Sequence, residues 1–270
     1  MVRSSSGTRR SPVWAALFTV TVLVAACGGS GDAASEASES SESDSVTDVD
    51  LSELTAATTE NKLPEAPKDE NRHAETGGEV LHPNKTLAVY DSAAGEPIAK
   101  LPQEQLSSPT WVPVIDREDD WAHILLPTRP NAASGWIHTT KDNVESAQNE
   151  YRVEVELSDF TLTTFHDGEE THEYTVGIGK EKHPTPTGRS FIIASVDEQE
   201  DDYSPVILPL SVHSNNLTTY GGGPGTVGIH TWPDNSFLGE ANSDGCIRVT
   251  SDALDELVKL PLGTVVDIVE

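Results

Sequence analysis

The sequence has little positive charge: 17 lysines and arginines stand against 45 aspartates and glutamates, for a formal net charge of −28. Nucleic acids and anionic membrane surfaces bind basic patches, so this balance argues against either as the main partner. The chain has only two cysteines, which excludes a multi-disulfide scaffold and a tetrahedral cysteine zinc site. It also lacks the long apolar run, about 20 residues, that a comfortable membrane span needs. Its 270 residues suffice for one or two domains with a buried core.

The N-terminus has the features of an export signal. Three arginines precede an apolar stretch, Val13 to Ala26, which ends at Cys27. Val24-Ala25-Ala26-Cys27 resembles a bacterial lipobox, in which signal peptidase cuts before the cysteine and the thiol is acylated. The alternative is a cleaved secretory peptide with an incidental cysteine nearby. We expect residues 1–26 to be a lipoprotein signal peptide and Cys27 to be lipidated, so that acyl chains anchor the protein to the membrane.

The following segment, residues 27–80, has the composition of a tether. Ser35 to Asp50 is nearly all Ser, Glu, Asp and Ala, and the whole segment contains no aromatic residue. Such a sequence cannot bury enough apolar surface to offset its ordering entropy. We therefore predict that this segment is an acidic, disordered spacer. It would hold the remaining chain away from the extracytoplasmic face of the membrane and within reach of the cell wall.

Residues 81–148 contain short strand-like runs separated by turns, a pattern that favours a small barrel. The runs are Thr86–Tyr90, Trp111–Ile115, Trp121–Leu126 and Gly135–Ile137. The order of these features resembles that of the bacterial SH3-like domains: a charged turn comes first, then a strand that begins with tryptophan, and then Gly135-Trp136-Ile137. Trp111, Trp121 and Trp136 have two interpretations, as core residues or as a platform on which a glycan or peptide stacks.

Residues 149–270 are predicted to form a second, mainly β domain. Asp167-Gly168 is a hairpin signal between alternating runs, and one helix is indicated after Ser251, which can cap it. Cys246 lies between a loop and this helix, with His230 at the end of an upstream strand. A free thiol with a histidine upstream is a candidate nucleophile and base. The spacing alone also allows a second interpretation, in which Cys246 is a small buried hydrophobic residue and His230 is an ordinary loop residue.

The motifs Gly228-Ile229-His230 and Ser243-Asp244-Gly245-Cys246-Ile247-Arg248 resemble the signature of the L,D-transpeptidase catalytic domain, the YkuD family. His183-Pro184-Thr185-Pro186-Thr187-Gly188 resembles a Thr-Pro-X-Gly turn of the same family. The resemblance implies a β-sandwich with a short helix after the catalytic motif. It also implies that Cys246 is the nucleophile, His230 the base, the Thr231 carbonyl its orienting group, and Gly245 part of the oxyanion hole. The candidate substrate contacts are Arg248, Ser243, Asp244, Trp232, Tyr220 and His213. A structural salt bridge is the alternative role for Arg248, and packing is the alternative for Trp232, Tyr220 and His213.

The implied function is a peptidoglycan L,D-transpeptidase that joins stem peptides by 3→3 cross-links through a cysteine thioester, and that carbapenem-type inhibitors acylate. No cofactor and no metal are expected. Asp244 departs from the family, which usually has histidine there, and a carboxylate beside the thiol would by itself raise the thiol pKa. Thr231 stands where glycine is common. The alternatives are a non-catalytic peptidoglycan-binding lipoprotein, which Asp244 favours, an L,D-carboxypeptidase, and a wall endopeptidase of different fold.

Overall fold

The computed structural model describes residues 49–198, 203–220 and 222–270, which belong to one compact unit. The predicted signal peptide, Cys27 and the first part of the predicted tether lie outside the described residues. Within the described residues, no helix has the length and apolar composition to cross a membrane.

The N-terminal lobe, residues 79–148, is built on a seven-stranded antiparallel sheet in the order β3-β2-β8-β7-β6-β1-β9, beside a small hairpin of β4 and β5. The strands are β1 Glu79–Pro83, β2 Leu87–Tyr90, β3 Pro97–Leu101, β4 Glu104–Gln105, β5 Ser108–Pro109, β6 Val112–Glu118, β7 Trp121–Leu125, β8 Ser134–His138 and β9 Val144–Gln148. These strands confirm the predicted runs, while the SH3-like assignment stays a prediction. Trp111, Trp121 and Trp136 are only half-buried, and each contacts a histidine ring of this lobe.

The C-terminal lobe, residues 151–270, is a β-sandwich. One sheet has the order β12-β11-β10-β20-β14 and the other β15-β16-β17-β19, with β13 and β18 as a separate pair. The strands are β10 Tyr151–Glu156, β11 Thr161–His166, β12 Glu169–Thr175, β13 Ile178–Gly179, β14 Gly188–Phe191, β15 Val196–Asp197, β16 Val206–His213, β17 Thr226–His230, β18 Ala241–Ser243, β19 Ile247–Arg248 and β20 Val265–Val269. Apolar side chains from both sheets and from the helix form one buried cluster between them. The predicted mainly β class is confirmed.

The helix α1, Ser251–Leu257, follows the Cys246 motif as expected. Its N-cap is Thr250 rather than Ser251, because Thr250 has an extended backbone and its side chain accepts a hydrogen bond from the Ala253 N–H. Ala253, Leu254 and Leu257 are the buried residues of the helix, and they pack into the sandwich core.

Residues 49–78, which we name the strap, correct the expected tether. Instead of being a solvated spacer, the strap buries Ala57 and Leu63 in the core of the N-terminal lobe. Farther along, its Asp69 pairs with Arg189 of the C-terminal lobe. The composition predicted disorder because the strap has few apolar side chains. The strap is nevertheless ordered, by the apolar side chains that it does bury together with backbone hydrogen bonds and one buried ion pair.

The two lobes also share core residues. Phe191, Ile193 and Ala194, which belong to or follow β14, pack in the hydrophobic cluster of the N-terminal lobe. The N-terminal lobe is therefore packed against the C-terminal lobe through apolar side chains, as well as through the strap.

Candidate active site

Two neighbouring parallel strands of the C-terminal lobe place the motif residues side by side. Strand β17 ends at His230 and pairs with β19, with Ile229 opposite Ile247 and His230 opposite Arg248. Cys246 directly precedes β19, and its thiol accepts a hydrogen bond from the Gly228 backbone. Residues separated by about 16 positions in the sequence are thus brought together by one strand pairing.

His230 is fixed by its own backbone neighbour. Its Nδ1 lies 2.6 Å from the Thr231 carbonyl oxygen, and because a carbonyl only accepts, Nδ1 carries the proton and Nε2 is the unprotonated, accepting nitrogen. Burial lowers the pKa of His230, which leaves the imidazole neutral near pH 7. Thr231 is itself held by its hydroxyl, which donates to the Tyr203 carbonyl at 2.8 Å. The threonine found in place of glycine therefore anchors the group that orients His230.

The thiol of Cys246, a free cysteine, has a pKa above its usual value. Burial is the main cause, a smaller effect of Asp244 acts in the same direction, and the backbone of Gly228 and the charge of Arg248 oppose it. The site at rest is therefore a neutral thiol beside a neutral imidazole. Such a pair transfers the thiol proton to the histidine as the sulfur attacks.

The turn before Cys246 is held by side-chain hydrogen bonds. Gly245 has φ +120°, a conformation that disfavours other residues, and its N–H donates to Ser243 Oγ at 3.1 Å. The Ser243 hydroxyl donates in turn to the Cys246 carbonyl at 2.6 Å. Thr185, from the His-Pro-Thr-Pro-Thr-Gly motif, is buried and donates to the Gly245 carbonyl at 2.9 Å. The sequence pointed to this motif without revealing that it supports the Cys246 turn.

Arg248 lies in the cavity without an ion-pair partner among the described residues. Its guanidinium lies over the Trp232 ring, 3.7 Å from the centroid, and its Nη1 donates to Asn242 Oδ1 at 2.9 Å. Its Nε is buried and has no hydrogen-bond partner. A positioned guanidinium with an unused donor fits an anionic group from a ligand better than a structural salt bridge.

Most of the predicted site residues line one cavity of about 380 Å³. It contains the predicted residues Cys246, His230, Arg248, Ser243, Asp244, Trp232 and Tyr220. Sequence reasoning missed Tyr203, whose ring lies 5.1 Å from that of His230 and 5.7 Å from that of Trp232. The acidic loop that contains Tyr203 has no periodic pattern or motif that would have revealed this.

His213 does not line the cavity, contrary to the sequence prediction. It is fully buried, and its Nε2 lies 2.9 Å from both the hydroxyl and the carbonyl oxygen of Thr59 in the strap. Burial lowers its pKa to about 4, so it is neutral under ordinary conditions. Its position on β16 made it a reasonable pocket residue, but the strap covers that end of the strand.

Asp244, the residue that departs from the family, is paired. Its Oδ1 lies 2.6 Å from Lys180 Nζ and 3.8 Å from His183 Nε2. The hydrogen bond from Lys180 holds the pKa of Asp244 below its usual value. The lysine therefore offsets much of the negative charge that Asp244 brings next to the thiol.

We expect the two partners to move the reactivity of Cys246 in opposite directions. Lys180→Met leaves Asp244 uncompensated and shifts the pH midpoint of Cys246 alkylation by iodoacetamide upward, whereas Asp244→Asn shifts it downward. Asp255→Asn, which removes an exposed acid of α1, serves as the control and leaves the midpoint in place. Shifts of the same sign in both variants would contradict the compensation.

Three side chains outside the cavity could hold a metal ion. Atoms of Glu150, His166 and Asp167 that can act as ligands lie within 4.8 Å of one another, and the two acids are exposed. Exposed acidic groups of this kind are common without an ion, and none of the three lines the Cys246 cavity.

Solved L,D-transpeptidase structures are similar to this chain. One from Mycobacterium smegmatis is 18% identical, with a TM-score of 0.36, over 52% of this chain and 75% of the other. One from Stackebrandtia nassauensis is 22% identical, with a TM-score of 0.35, over 46% of this chain and 57% of the other. A third, in complex with imipenem, is 15% identical, with a TM-score of 0.39, over 71% of this chain and 82% of the other.

A family model adds an assignment that these distant structures do not carry by themselves. No curated protein matches the chain. The model of the YkuD family, described as the L,D-transpeptidase catalytic domain, matches residues 150–268. This range contains the C-terminal β-sandwich together with Cys246, His230 and Arg248. The C-terminal lobe of this chain is therefore an L,D-transpeptidase catalytic domain.

Proposed function

We propose that the protein is a cysteine-dependent peptidoglycan L,D-transpeptidase that forms 3→3 cross-links. The observation that carries the proposal is one cavity that joins a free thiol, a histidine with a fixed tautomer and an arginine with an unused donor. A purely peptidoglycan-binding protein needs neither the thiol nor the oriented imidazole. Asp244, which favoured that alternative, is paired with Lys180, which offsets much of its charge.

The first step acylates Cys246. His230 Nε2 takes the thiol proton while the sulfur attacks the carbonyl of the third stem residue, an L-centre, and forms a C–S bond. Collapse of the tetrahedral intermediate breaks the C–N bond to D-alanine, whose nitrogen receives the proton from His230. The oxyanion accepts a hydrogen bond from the Cys246 backbone N–H. The Gly245 N–H, which was expected to take part, already donates to Ser243 Oγ.

The second step returns the thiol. An amine of a neighbouring stem attacks the thioester, its proton passes to His230, and the C–S bond breaks as the proton moves to the leaving sulfur. Water in place of the amine would give L,D-carboxypeptidase activity. Arg248 lines the cavity and binds a carboxylate of the donor stem, while Trp232 keeps the guanidinium plane in place.

The location of the protein is also a proposal. Lipidation of Cys27 after removal of residues 1–26 would anchor the chain at the extracytoplasmic face of the membrane, where the acidic segment lets the lobes reach the wall. The net charge of −28 agrees with a peptide substrate that is bound by single basic side chains such as Arg248. It does not agree with a partner that presents a broad anionic surface.

Mass spectrometry of the full-length protein tests this function. We expect a carbapenem to add one covalent equivalent to the wild type and none to Cys246→Ser. We expect a disaccharide-tetrapeptide to give D-alanine and a cross-linked dimer, whereas release of D-alanine with tripeptide alone identifies a carboxypeptidase. Absence of turnover and of any adduct in the wild type, or an unchanged adduct in Cys246→Ser, would sink the enzymatic proposal.

A further inference from the structure

One wall of the cavity comes from a loop between β16 and β17, which we name the cavity loop, residues 214–220 and 222–225. It contributes Tyr220 and Gly223 to the cavity lining, and Tyr220 is 53% exposed. The Ser214 N–H donates to the Gly225 carbonyl at 2.8 Å and closes the base of the loop. Tyr220 and Gly223 exchange two backbone hydrogen bonds at its tip, of 3.0 and 2.9 Å.

The carbonyls of the cavity loop converge on an arginine from the N-terminal lobe. Arg129 Nη1 donates to the Ser214 carbonyl at 3.1 Å, and its Nη2 donates to those of Leu217 at 3.0 Å and Pro224 at 2.8 Å. The fit is close: a Cβ on Gly225, which has φ +77°, would lie 2.4 Å from the Leu217 oxygen and 3.1 Å from Arg129 Nη2. One guanidinium thus holds three backbone acceptors of the loop.

Arg129 has no other charged partner that would explain its position. None of the ion pairs formed by the described residues includes it, and its side chain is half-buried. A guanidinium stays protonated in proteins, so its full charge acts on the three carbonyl dipoles. Hydrogen bonds from a charged donor are about twice as strong as neutral ones.

The backbone of Arg129 is held on both sides. The Leu63 N–H of the strap donates to the Arg129 carbonyl at 2.7 Å, and the Arg129 N–H donates to the Asn61 carbonyl at 3.3 Å. Two residues on, Asn131 pairs with the backbone of His213, donating to its carbonyl at 2.8 Å and accepting from its N–H at 2.9 Å. The strap and the end of β16 therefore fix where the guanidinium lies.

We infer that Arg129, although it belongs to the N-terminal lobe, is a positioning residue of the active site that orders the cavity loop for binding of the donor stem peptide. The inference rests on the proposed function for its substrate and on the hydrogen bonds above for its mechanism. Arg129 touches no reacting atom. It acts through Tyr220 and Gly223, so its loss weakens binding of the stem and leaves the chemistry of Cys246 and His230 in place. The N-terminal lobe thereby becomes part of the enzyme's substrate site.

Arg129→Gln tests the inference, with Arg117→Gln as the matched control, because Arg117 lies in the same lobe in an exposed ion pair with Glu79. We expect KM for the tetrapeptide stem to rise about tenfold in Arg129→Gln, the effect of losing one or two charge-assisted hydrogen bonds. We expect kcat and the rate of Cys246 alkylation by iodoacetamide to change less than about twofold. Arg129→Lys keeps the charge but loses the planar fork of the guanidinium. We expect its KM to lie between those of the wild type and Arg129→Gln.

Hydrogen exchange provides a readout that does not depend on turnover. We expect the amides of Ser214, Tyr220 and Gly223 to exchange faster in Arg129→Gln than in wild type or Arg117→Gln, while amides of β10 and β20 stay protected. If the wild type shows no turnover, the proposed function fails and the exchange result still decides the role of Arg129.

A second variant separates positioning from general damage. Tyr220→Ala removes the side chain that the loop presents, so its effect on KM and that of Arg129→Gln should not add in the double variant. Unchanged exchange in the cavity loop, additive effects on KM, or equal losses in kcat and alkylation rate would each overturn the inference. Thermal unfolding of each variant identifies one that fails to fold, and Arg129→Lys then takes its place in the comparison.

Discussion

His230→Gln is expected to slow the acylation of Cys246 by a tetrapeptide stem about 10²- to 10⁴-fold, the usual contribution of a positioned general base. The thiol has a raised pKa and stays protonated at rest, so the reaction depends on a base that removes its proton as attack occurs. Glutamine keeps a polar side chain of similar length but has no basic nitrogen. Single-turnover acylation, followed by intact mass, measures the effect.

The pH profile gives a second view of the same histidine. Burial lowers the pKa of His230 below the usual 6.5, so the wild type should keep its acylation rate as the pH falls to 6.5 and lose it only below that value, when the imidazole is protonated. In His230→Gln this acid limb should be absent, and the rate should rise with pH as the thiolate itself forms. The difference between the two profiles should narrow at alkaline pH without vanishing, because glutamine cannot protonate the leaving nitrogen of D-alanine.

His172→Gln serves as the control for the histidine substitution. His172 is exposed on β12 and stacks on Tyr174, outside the cavity. We expect its acylation rate and pH profile to match those of the wild type. An acid limb that persists in His230→Gln, or a loss of less than about tenfold, would show that another group removes the proton.

The sequence located the reacting groups because short motifs define them. The resemblance of Gly-Ile-His and Gly-Cys-Ile-Arg to the YkuD signature predicted that His230 and Cys246 lie together, and the pairing of β17 with β19 brings them to one cavity. Short strand-like runs predicted β2, β6, β7 and β8 of the N-terminal lobe, whereas the other strands of that lobe were not predicted. Local patterns therefore predicted the fold class and the centre of the site.

The supporting contacts could not be predicted because they join residues far apart that form no pattern. The Thr59 and His213 side chains are 154 positions apart, and those of Asp69 and Arg189 are 120 apart. The strap is acidic and poor in apolar residues, so composition favoured disorder, whereas its order depends on partners in both lobes. The role of Arg129 could not be predicted for the same reason. Its three hydrogen-bond acceptors are backbone carbonyls of a distant loop, and backbone carbonyls form no sequence motif.

Asp69→Ala is expected to give the largest loss of stability, about 3 to 5 kcal/mol in the free energy of unfolding, because it leaves a buried arginine without its counter-charge. Asp69 Oδ2 accepts from Arg189 Nε at 3.0 Å and from Nη2 at 2.8 Å. The two side chains are only 3% and 4% exposed, so water cannot replace the lost carboxylate. Arg189 would keep its bond to the Ala74 carbonyl, which carries no charge.

Glu79→Ala is the matched control, since Glu79 and Arg117 form an ion pair that is about one-third exposed. Removal of an exposed partner costs less than about 1 kcal/mol, because water solvates the remaining charge. Urea unfolding of the two variants compares the loss of an ion-paired carboxylate at a buried and at an exposed site. Equal losses would mean that the strap is not held on the C-terminal lobe by this pair.

A double variant separates the cost of an unpaired charge from the value of the pair. If Arg189 is buried without compensation in Asp69→Ala, then Asp69→Ala combined with Arg189→Met should recover a large part of the lost stability, since no buried charge remains. Failure to recover would place the loss in the packing of the strap rather than in the charge. Recovery would show that the loss in Asp69→Ala comes from the unpaired charge of Arg189, so that the carboxylate is needed to compensate this arginine rather than to order the strap.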